Sequence, residues 1–190
     1  MAPRRVFILD RSGSMDSCRS DTIGGYNSFI RDQVEFGGTM TLVQFDHEVL
    51  NVYEDVPIDK VVPLNEETFK PRGSTALFDA IGKTIKSIKD GGDPPTVVIL
   101  TDGHENSSNA FTKSHVKDLI DLKTKDHGWN FVYLGANQDA FAIGGDIGIA
   151  PGCTLNFDSN RTPDAFRSLS AAMSTQSQGL TPAPTFSAQT

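Results

Sequence analysis

The feature that most constrains the fold is a run of four apolar residues, 6–9, that ends abruptly in Asp10. Such an unbroken run is typical of a strand buried on both faces, as in a parallel sheet covered by helices. The segment 10–14, Asp-Arg-Ser-Gly-Ser, then follows the carboxyl end of that strand, where open α/β sheets bind ligands. It offers one carboxylate and two hydroxyl groups, which are hard oxygen ligands. They suit Mg²⁺, Mn²⁺ or Ca²⁺ and suit Zn²⁺ or Cu²⁺ poorly.

Strands and helices alternate along the rest of the chain. Strands are predicted at residues 4–9, 39–45, 49–56, 96–101, 129–134 and 154–157, and helices at 22–36, 76–89, 112–125, 138–143 and 162–173. Only three residues separate the strand at 49–56 from its predecessor, so we expect an antiparallel strand at the sheet edge. The pattern predicts an α/β fold with a doubly wound, mostly parallel sheet of about six strands and helices on both faces.

The length of 190 residues fits one domain, which we assign to residues 1–173. Residues 174–190 are rich in Ser, Thr, Pro and Gln, and a segment of that composition buries too little apolar surface to order itself. We therefore predict a flexible carboxyl-terminal tail.

Composition narrows the class of protein. With 17 basic and 24 acidic residues, the net charge of −7 offers no bulk attraction for nucleic acid. Two cysteines, Cys18 and Cys153, are too few for a disulfide framework. The chain runs directly into its first predicted strand, without the apolar core of a signal peptide, and it contains no apolar run of membrane-spanning length. We expect a cytoplasmic protein without a membrane span.

Oxygen-bearing side chains occur at two further loops. Thr75 precedes the helix predicted at 76–89, and Asp102 directly follows the strand predicted at 96–101. The strands at 4–9 and 96–101 are the most apolar, so we expect them to be central neighbours with Asp10 close to Asp102. Two buried carboxylates this close repel each other unless a cation lies between them.

Together these segments resemble a known family. Asp-x-Ser-x-Ser at 10–14, Gly-Ser-Thr-Ala-Leu at 73–77 and Thr-Asp-Gly at 101–103 look like the metal-ion-dependent adhesion site of von Willebrand factor type A domains. The resemblance covers residues 4–173 and is closest to bacterial or phage cytoplasmic members. It implies a Rossmann-like fold with Mg²⁺ as the resident metal, Mn²⁺ or Ca²⁺ being alternatives. The implied metal site consists of Asp10, Ser12, Ser14, Thr75 and Asp102.

The resemblance also implies how these residues act. Ser12, Ser14 and Thr75 would bind the metal directly, and the two aspartates would act mainly through water. The open position would take an Asp or Glu side chain from a partner protein. Two neighbouring acids have roles that the sequence leaves open. Glu105 would either repel an acidic ligand or compete for the metal, and Asp79 would either support Thr75 or stabilise a helix terminus.

Three functions are compatible with this pattern. The first is a non-enzymatic module that binds a partner protein through a bridging metal, because no general base or nucleophile is evident. The second is a regulatory or adaptor subunit that acts beside an ATPase or kinase. The third is a Mg²⁺-dependent phosphoryl-transfer enzyme with Asp10 as its nucleophile. The third is the weakest, because Ser12 occupies the position where such enzymes need a second aspartate.

Overall fold

The computed structural model describes residues 2–187 and has a single six-stranded sheet in that part of the chain. The strand order is β3-β2-β1-β4-β5-β6, and β3 alone is antiparallel to its neighbour. The strands are β1 (Arg4–Asp10), β2 (Thr39–Phe45), β3 (Val49–Pro57), β4 (Thr96–Thr101), β5 (Asn130–Ala136) and β6 (Thr154–Phe157). The predicted fold class is confirmed, including the antiparallel edge strand.

Helices cover both faces of the sheet. They are α1 (Arg19–Gln33), α2 (Leu77–Ser87), α3 (Lys113–His127), α4 (Ala140–Asp146) and α5 (Thr162–Ser177). Side chains alternate along β1, so Phe7 and Leu9 pack under α1 and α5, whereas Val6 and Ile8 pack under the other three helices. Burial of both faces explains why residues 6–9 of β1 are all apolar.

The two most apolar strands are central neighbours, as predicted. β1 pairs in parallel with β4, and Leu9 lies opposite Leu100. Because parallel strands end at the same edge of the sheet, Asp10 and Asp102 emerge side by side. The loop that carries Ser12 and Ser14 and the segment that carries Thr75 lie at this edge as well.

Some element boundaries differ from the predicted ones. A 3₁₀ helix, Gly13–Cys18, precedes α1, which begins three residues before its predicted start at residue 22. The periodic pattern missed this turn because its buried residues, Met15 and Cys18, are three apart, which is the repeat of a 3₁₀ helix. α4 begins later than predicted because the Asp139 side chain caps it by accepting a hydrogen bond from Ala142 N.

The predicted domain boundary at residue 173 falls inside α5, which continues to Ser177. Beyond it, Phe186 N donates a hydrogen bond to Gly152 O at 2.9 Å, and the Phe186 ring packs against the core beneath α1 and α5. Residues 188–190 of the predicted tail lie outside the described residues, and the flexibility of 174–190 stays a prediction. No helix within residues 2–187 has the length and apolar character that crossing a membrane requires.

Candidate metal site

The carboxyl ends of β1 and β4 bring four of the five predicted metal-site residues into hydrogen-bonding distance. Ser14 Oγ donates to Asp102 Oδ1 at 2.7 Å, and the hydroxyl oxygens of Ser12 and Ser14 are 3.3 Å apart. Asp10 ends β1, is fully buried, and accepts a hydrogen bond from Ser12 N at 2.6 Å. Ser12 is buried as well, whereas Ser14 is exposed, so the cluster opens to solvent on the side of Ser14.

The surroundings of Gly103 place Thr75 in the same cluster of oxygen atoms. A Cβ atom added to Gly103 would lie 3.1 Å from Thr75 Oγ1, 3.8 Å from Asp10 Oδ2 and 3.8 Å from Ser14 Oγ. Oxygen atoms from two separate segments, residues 10–14 and the loop that carries Thr75, therefore face the space that a side chain at residue 103 would fill. Because glycine leaves this space open, the donor set can surround a small cation.

The two aspartates are costly to ionise where they lie. Burial raises the pKa of Asp10 to about 6, although hydrogen bonds from Thr101 and Ser12 oppose the shift and the nearby Asp102 charge adds to it. Burial also raises the pKa of Asp102, against the hydrogen bond from Ser14. A divalent cation between these carboxylates would offset both their desolvation and their mutual repulsion. The residues present therefore fit the metal that the resemblance implies.

Thr101 is a residue of this site that the sequence analysis missed. Its Oγ1 donates to Asp10 Oδ2 at 2.7 Å, and its carbonyl oxygen accepts a hydrogen bond from Gln138 Nε2 at 3.2 Å. Tyr133 in turn donates its hydroxyl proton to Gln138 Oε1 at 2.9 Å. This chain of hydrogen bonds fixes the orientation of the Asp10 carboxylate. Thr101 is part of the Thr-Asp-Gly motif at 101–103, but the motif assigned it no role, because a threonine at the end of a strand is explained by strand propensity alone.

Asp46 is the second residue that the sequence analysis missed. It directly follows β2, so it repeats the pattern of Asp10 and Asp102, an acid after a buried strand. The fully buried carboxylate accepts hydrogen bonds from Arg11 Nε at 3.0 Å and Arg72 Nε at 2.7 Å. Burial favours its neutral form, but the hydrogen bonds from Glu48 N and Arg72, with the charge of Arg11, hold the pKa of Asp46 below its usual value.

This ion pair joins the metal-site loops to one another. Arg11 lies between Asp10 and Ser12, and Arg72 lies shortly before Thr75. Backbone hydrogen bonds between Arg72 N and Arg11 O at 2.8 Å, and between Gly13 N and Gly73 O at 3.0 Å, connect the same loops. The Asp46 carboxylate therefore positions the loops that carry the candidate ligands.

Asp46, His47 and Glu48 themselves form a cluster of possible metal ligands, with ligand atoms within 4.8 Å of one another. Two guanidinium groups already neutralise this cluster, because Arg72 also contacts Glu48 at 2.8 Å. A cation there would have to displace an arginine from a buried carboxylate, which is costly. The cluster is therefore a poorer metal site than the one around Gly103.

The loop after β4 has its own set of hydrogen bonds. Thr75 N donates to Asn106 Oδ1 at 2.8 Å, and Asn106 N donates to Thr75 O at 3.0 Å. This reciprocal pair of hydrogen bonds fixes Thr75 against the loop. The Asp79 carboxylate accepts hydrogen bonds from three consecutive backbone amides, those of Asn109, Ala110 and Phe111. Asp79 lies in the first turn of α2, as one of its two sequence-based alternatives expects, and its carboxylate also fixes the loop that carries Asn106.

Glu105 does not act as a free acid at the rim of the site. Its Oε2 accepts hydrogen bonds from Phe78 N at 3.0 Å and Ser108 Oγ at 2.8 Å, and its Oε1 accepts one from Ser108 N at 2.6 Å. The carboxylate is thus held at the amino end of α2, where negative charge is favourable. These contacts support neither expectation for Glu105, the repulsion of an acidic ligand or the competition for the metal.

Structural comparison identifies the fold. Proximal thread matrix protein 1 of the mussel byssus, in a structure with a zinc-occupied metal-ion-dependent adhesion site motif, superposes with a TM-score of 0.63 and 16% identity. The match covers 88% of this chain and 46% of the mussel chain. The von Willebrand factor domain of a type V pilus tip protein from Porphyromonas gingivalis matches with a TM-score of 0.65 and 11% identity, covering 93% of this chain and 96% of the other. This chain has the von Willebrand factor A-type fold.

A third similar structure, a von Willebrand factor type A protein from Catenulispora acidiphila, matches with a TM-score of 0.56 and 16% identity over 90% of this chain and 42% of that one. The chain thus spans less than half of the mussel and Catenulispora proteins. At the level of sequence, no protein-family model and no curated protein matches. The likeness is one of fold and does not extend to function.

Proposed function

We propose that this von Willebrand factor A-type domain binds a partner protein through a bridging divalent cation. The observation that carries the proposal is the convergence of Asp10, Ser14 and Thr75 oxygens on the space at Gly103. Ser12 and Asp102 join the same cluster through Ser14, to which both are hydrogen-bonded. These five residues are the complete ligand set of a metal-ion-dependent adhesion site.

The chemistry of the donor set supports Mg²⁺, with Mn²⁺ or Ca²⁺ as alternatives. Ser12, Ser14 and Thr75 would bind the metal through neutral hydroxyl oxygens, and the two aspartates would hold it mainly through water. Mg²⁺ requires six oxygen ligands at about 2.1 Å and retains water readily. Neutral ligands leave the cation short of negative charge, so the carboxylate of a partner's Asp or Glu completes its coordination. Zinc, which occupies the corresponding motif of the mussel protein, favours nitrogen and sulfur ligands.

The same geometry argues against the enzyme alternative. A nucleophilic Asp10 would need an accessible carboxylate oxygen, yet Asp10 is fully buried. Its two oxygens also accept hydrogen bonds from Ser12 N and Thr101 Oγ1. We therefore propose a non-enzymatic protein. The alternative, a regulatory or adaptor subunit beside an ATPase or kinase, would bind a different partner protein. It would bind that partner through the same bridging metal.

We also propose a cytoplasmic location, in keeping with the chemistry of the cysteines. Cys18 and Cys153 are both free thiols, and Cys18 is buried beside Met15. Reduced cysteines are the rule in the cytosol, where glutathione and thioredoxin prevent disulfides from persisting.

Thermal unfolding with added metal tests the site. At a metal concentration of 100 times Kd, mass action stabilises the folded protein by about 2.7 kcal/mol, which raises Tm by about 5–11 °C at this chain length. We expect Mg²⁺ or Mn²⁺ to produce such a rise in the wild type and in Ser20→Ala, an exposed serine of α1. The rise should be lost in Ser14→Ala and Thr75→Val. An equal rise in all four proteins contradicts the proposed ligand set.

Partner capture needs a separate measurement. The immobilised protein should retain a partner from lysate in Mg²⁺ and release it in EDTA, and Thr75→Val should retain none. A partner that stays bound in EDTA does not bind through the metal, and that result would refute the bridging mechanism even if the metal site itself is real.

A further inference from the structure

A cavity adjoins the metal site on the side of α4. It has a volume of about 210 Å³, and Gly103 is one of the residues that line it. The same glycine borders the space on which oxygen atoms of Asp10, Ser14 and Thr75 converge. The metal site and the cavity therefore share the backbone of Gly103 as a wall.

The side chains that line this cavity are mainly apolar. Phe78 of α2 and Ile143 of α4 are half-buried, so part of each side chain is open to solvent. Leu77 and Ile147 line the cavity as well and are buried. All four belong to, or pack against, the core cluster on the face of the sheet that α2, α3 and α4 cover. The cavity is thus a place where this core is incompletely covered.

The two acids at the cavity already have partners. The Glu105 carboxylate accepts hydrogen bonds from Phe78 N and from the backbone and side chain of Ser108. Asp146 pairs with Lys113 at 3.5 Å. Neither acid therefore lacks a cation or a donor, and an anionic group that entered the cavity would meet two carboxylates of like charge. These walls favour an apolar occupant, which requires no polar partner.

The size of the cavity indicates that the occupant is a single side chain. Its volume of about 210 Å³ lies below the range of about 300–1,000 Å³ that is usual for small-molecule sites. Pockets that receive one aromatic or aliphatic side chain are instead typical of the centre of protein interfaces. Consecutive Cα atoms are about 3.8 Å apart, so a residue near a metal-bound acid reaches a cavity that adjoins the metal.

We propose that the partner's segment carries a large apolar side chain, Leu, Ile, Met or Phe, within two residues of the acid that binds the metal, and that this side chain fills the cavity. The role of the cavity rests on the proposed function, because the metal-bound acid is what places the segment over it. The cavity adds a sequence requirement that the metal alone does not impose. Burial of one such side chain should strengthen binding about 10–100-fold.

Phage-displayed peptides test this requirement. One library has Asp fixed at its centre and random residues on either side, and a matched library has Asn in place of the Asp. Both libraries are selected on the immobilised protein in Mg²⁺ and eluted with EDTA. The Asp library should yield peptides with Leu, Ile, Met or Phe within two positions of the acid, and the Asn library should yield none.

A selected peptide then separates the two contacts in fluorescence polarisation. Replacement of its apolar residue by Ala should weaken binding about 10–100-fold and leave the dependence on Mg²⁺ intact, whereas replacement of its Asp by Asn should abolish binding. Ile143→Asn should weaken binding of the unaltered peptide to a similar degree. Phe141→Asn is the matched control, because Phe141 is an exposed apolar residue of α4 that does not line the cavity. Both variants should retain the rise in Tm with Mg²⁺.

The substitution in the peptide gives an answer even if Ile143→Asn does not fold. Selected peptides without an apolar preference, a preference for Lys or Arg near the acid, or unchanged binding after the Ala replacement would overturn the role of the cavity. Each of these results leaves capture through the metal intact. Equal yields from the Asp and Asn libraries, or no peptide eluted by EDTA from either, would contradict the proposed function, and the role of the cavity would fall with it.

Discussion

Gly103→Ala separates metal binding from folding more cleanly than removal of a ligand does. The added methyl group would lie 3.1 Å from Thr75 Oγ1 and 3.8 Å from Asp10 Oδ2 and Ser14 Oγ. The first distance is a few tenths of an ångström shorter than an ordinary carbon–oxygen contact, so Thr75 must shift slightly. The other two distances are ordinary contacts. Gly103 does not have a positive φ angle, so alanine causes no backbone strain there.

The expected magnitudes follow from these distances. Overpacking by one methyl group costs about 1 kcal/mol at a site with some room to adjust, which lowers Tm without metal by about 2–4 °C. The methyl group occupies the space in which hydroxyl oxygens would bind Mg²⁺ at about 2.1 Å and in which its waters would lie. We therefore expect the metal-dependent rise of about 5–11 °C to disappear in Gly103→Ala.

Thermal unfolding with and without 10 mM Mg²⁺, and titration calorimetry, measure both effects. Gly145→Ala is a suitable control, because a Cβ atom there meets no other atom within 4 Å and the residue lies in α4, away from the cluster. The reasoning is refuted if Gly103→Ala retains the full response to metal. A variant that unfolds without metal would instead show that the space is needed for the fold.

Four further predictions follow from the contacts of the site. The pKa of Asp10 is raised to about 6, so protons compete with the metal for its carboxylate near neutral pH. The apparent metal affinity should therefore fall about tenfold from pH 7 to pH 5. A metal affinity that calorimetry finds independent of pH would contradict this. Without metal, the same shift makes the protein lose stability as pH rises from about 4 to about 6, because the folded state binds the proton more tightly. Asp46→Ala should lower the free energy of unfolding by about 3 kcal/mol in urea titrations, whereas Asp121→Ala, which breaks an exposed pair with Lys117, should change it by less than about 1 kcal/mol. Asp79→Ala should cost about 2–3 kcal/mol, because three backbone amides lose their acceptor; a cost below about 1 kcal/mol would show that solvent replaces the carboxylate.

Much of the architecture was predictable because buried strands require apolar residues at consecutive positions, and that pattern is visible in the sequence. Continuous apolar runs identified β1 and β4 as central strands, and the short connection before β3 identified an antiparallel edge. The acid at the end of a buried strand selected Asp10 and Asp102 in the same way. Asp46 follows β2 in the same pattern, but the pattern alone does not distinguish an acid that binds a cation from one that pairs with an arginine. That difference depends on residues far away in the chain.

The sequence by itself determined the strand order at the centre of the sheet and the identity of the candidate ligands, because apolar periodicity and a spaced oxygen motif are properties of local residue order. Only the tertiary structure decided what those ligands do to one another and to their neighbours. The hydrogen bonds from Thr101 to Asp10 and from Arg72 to Asp46 join residues distant in sequence. Their energies depend on distances of about 3 Å and on exclusion of water, which folding alone establishes.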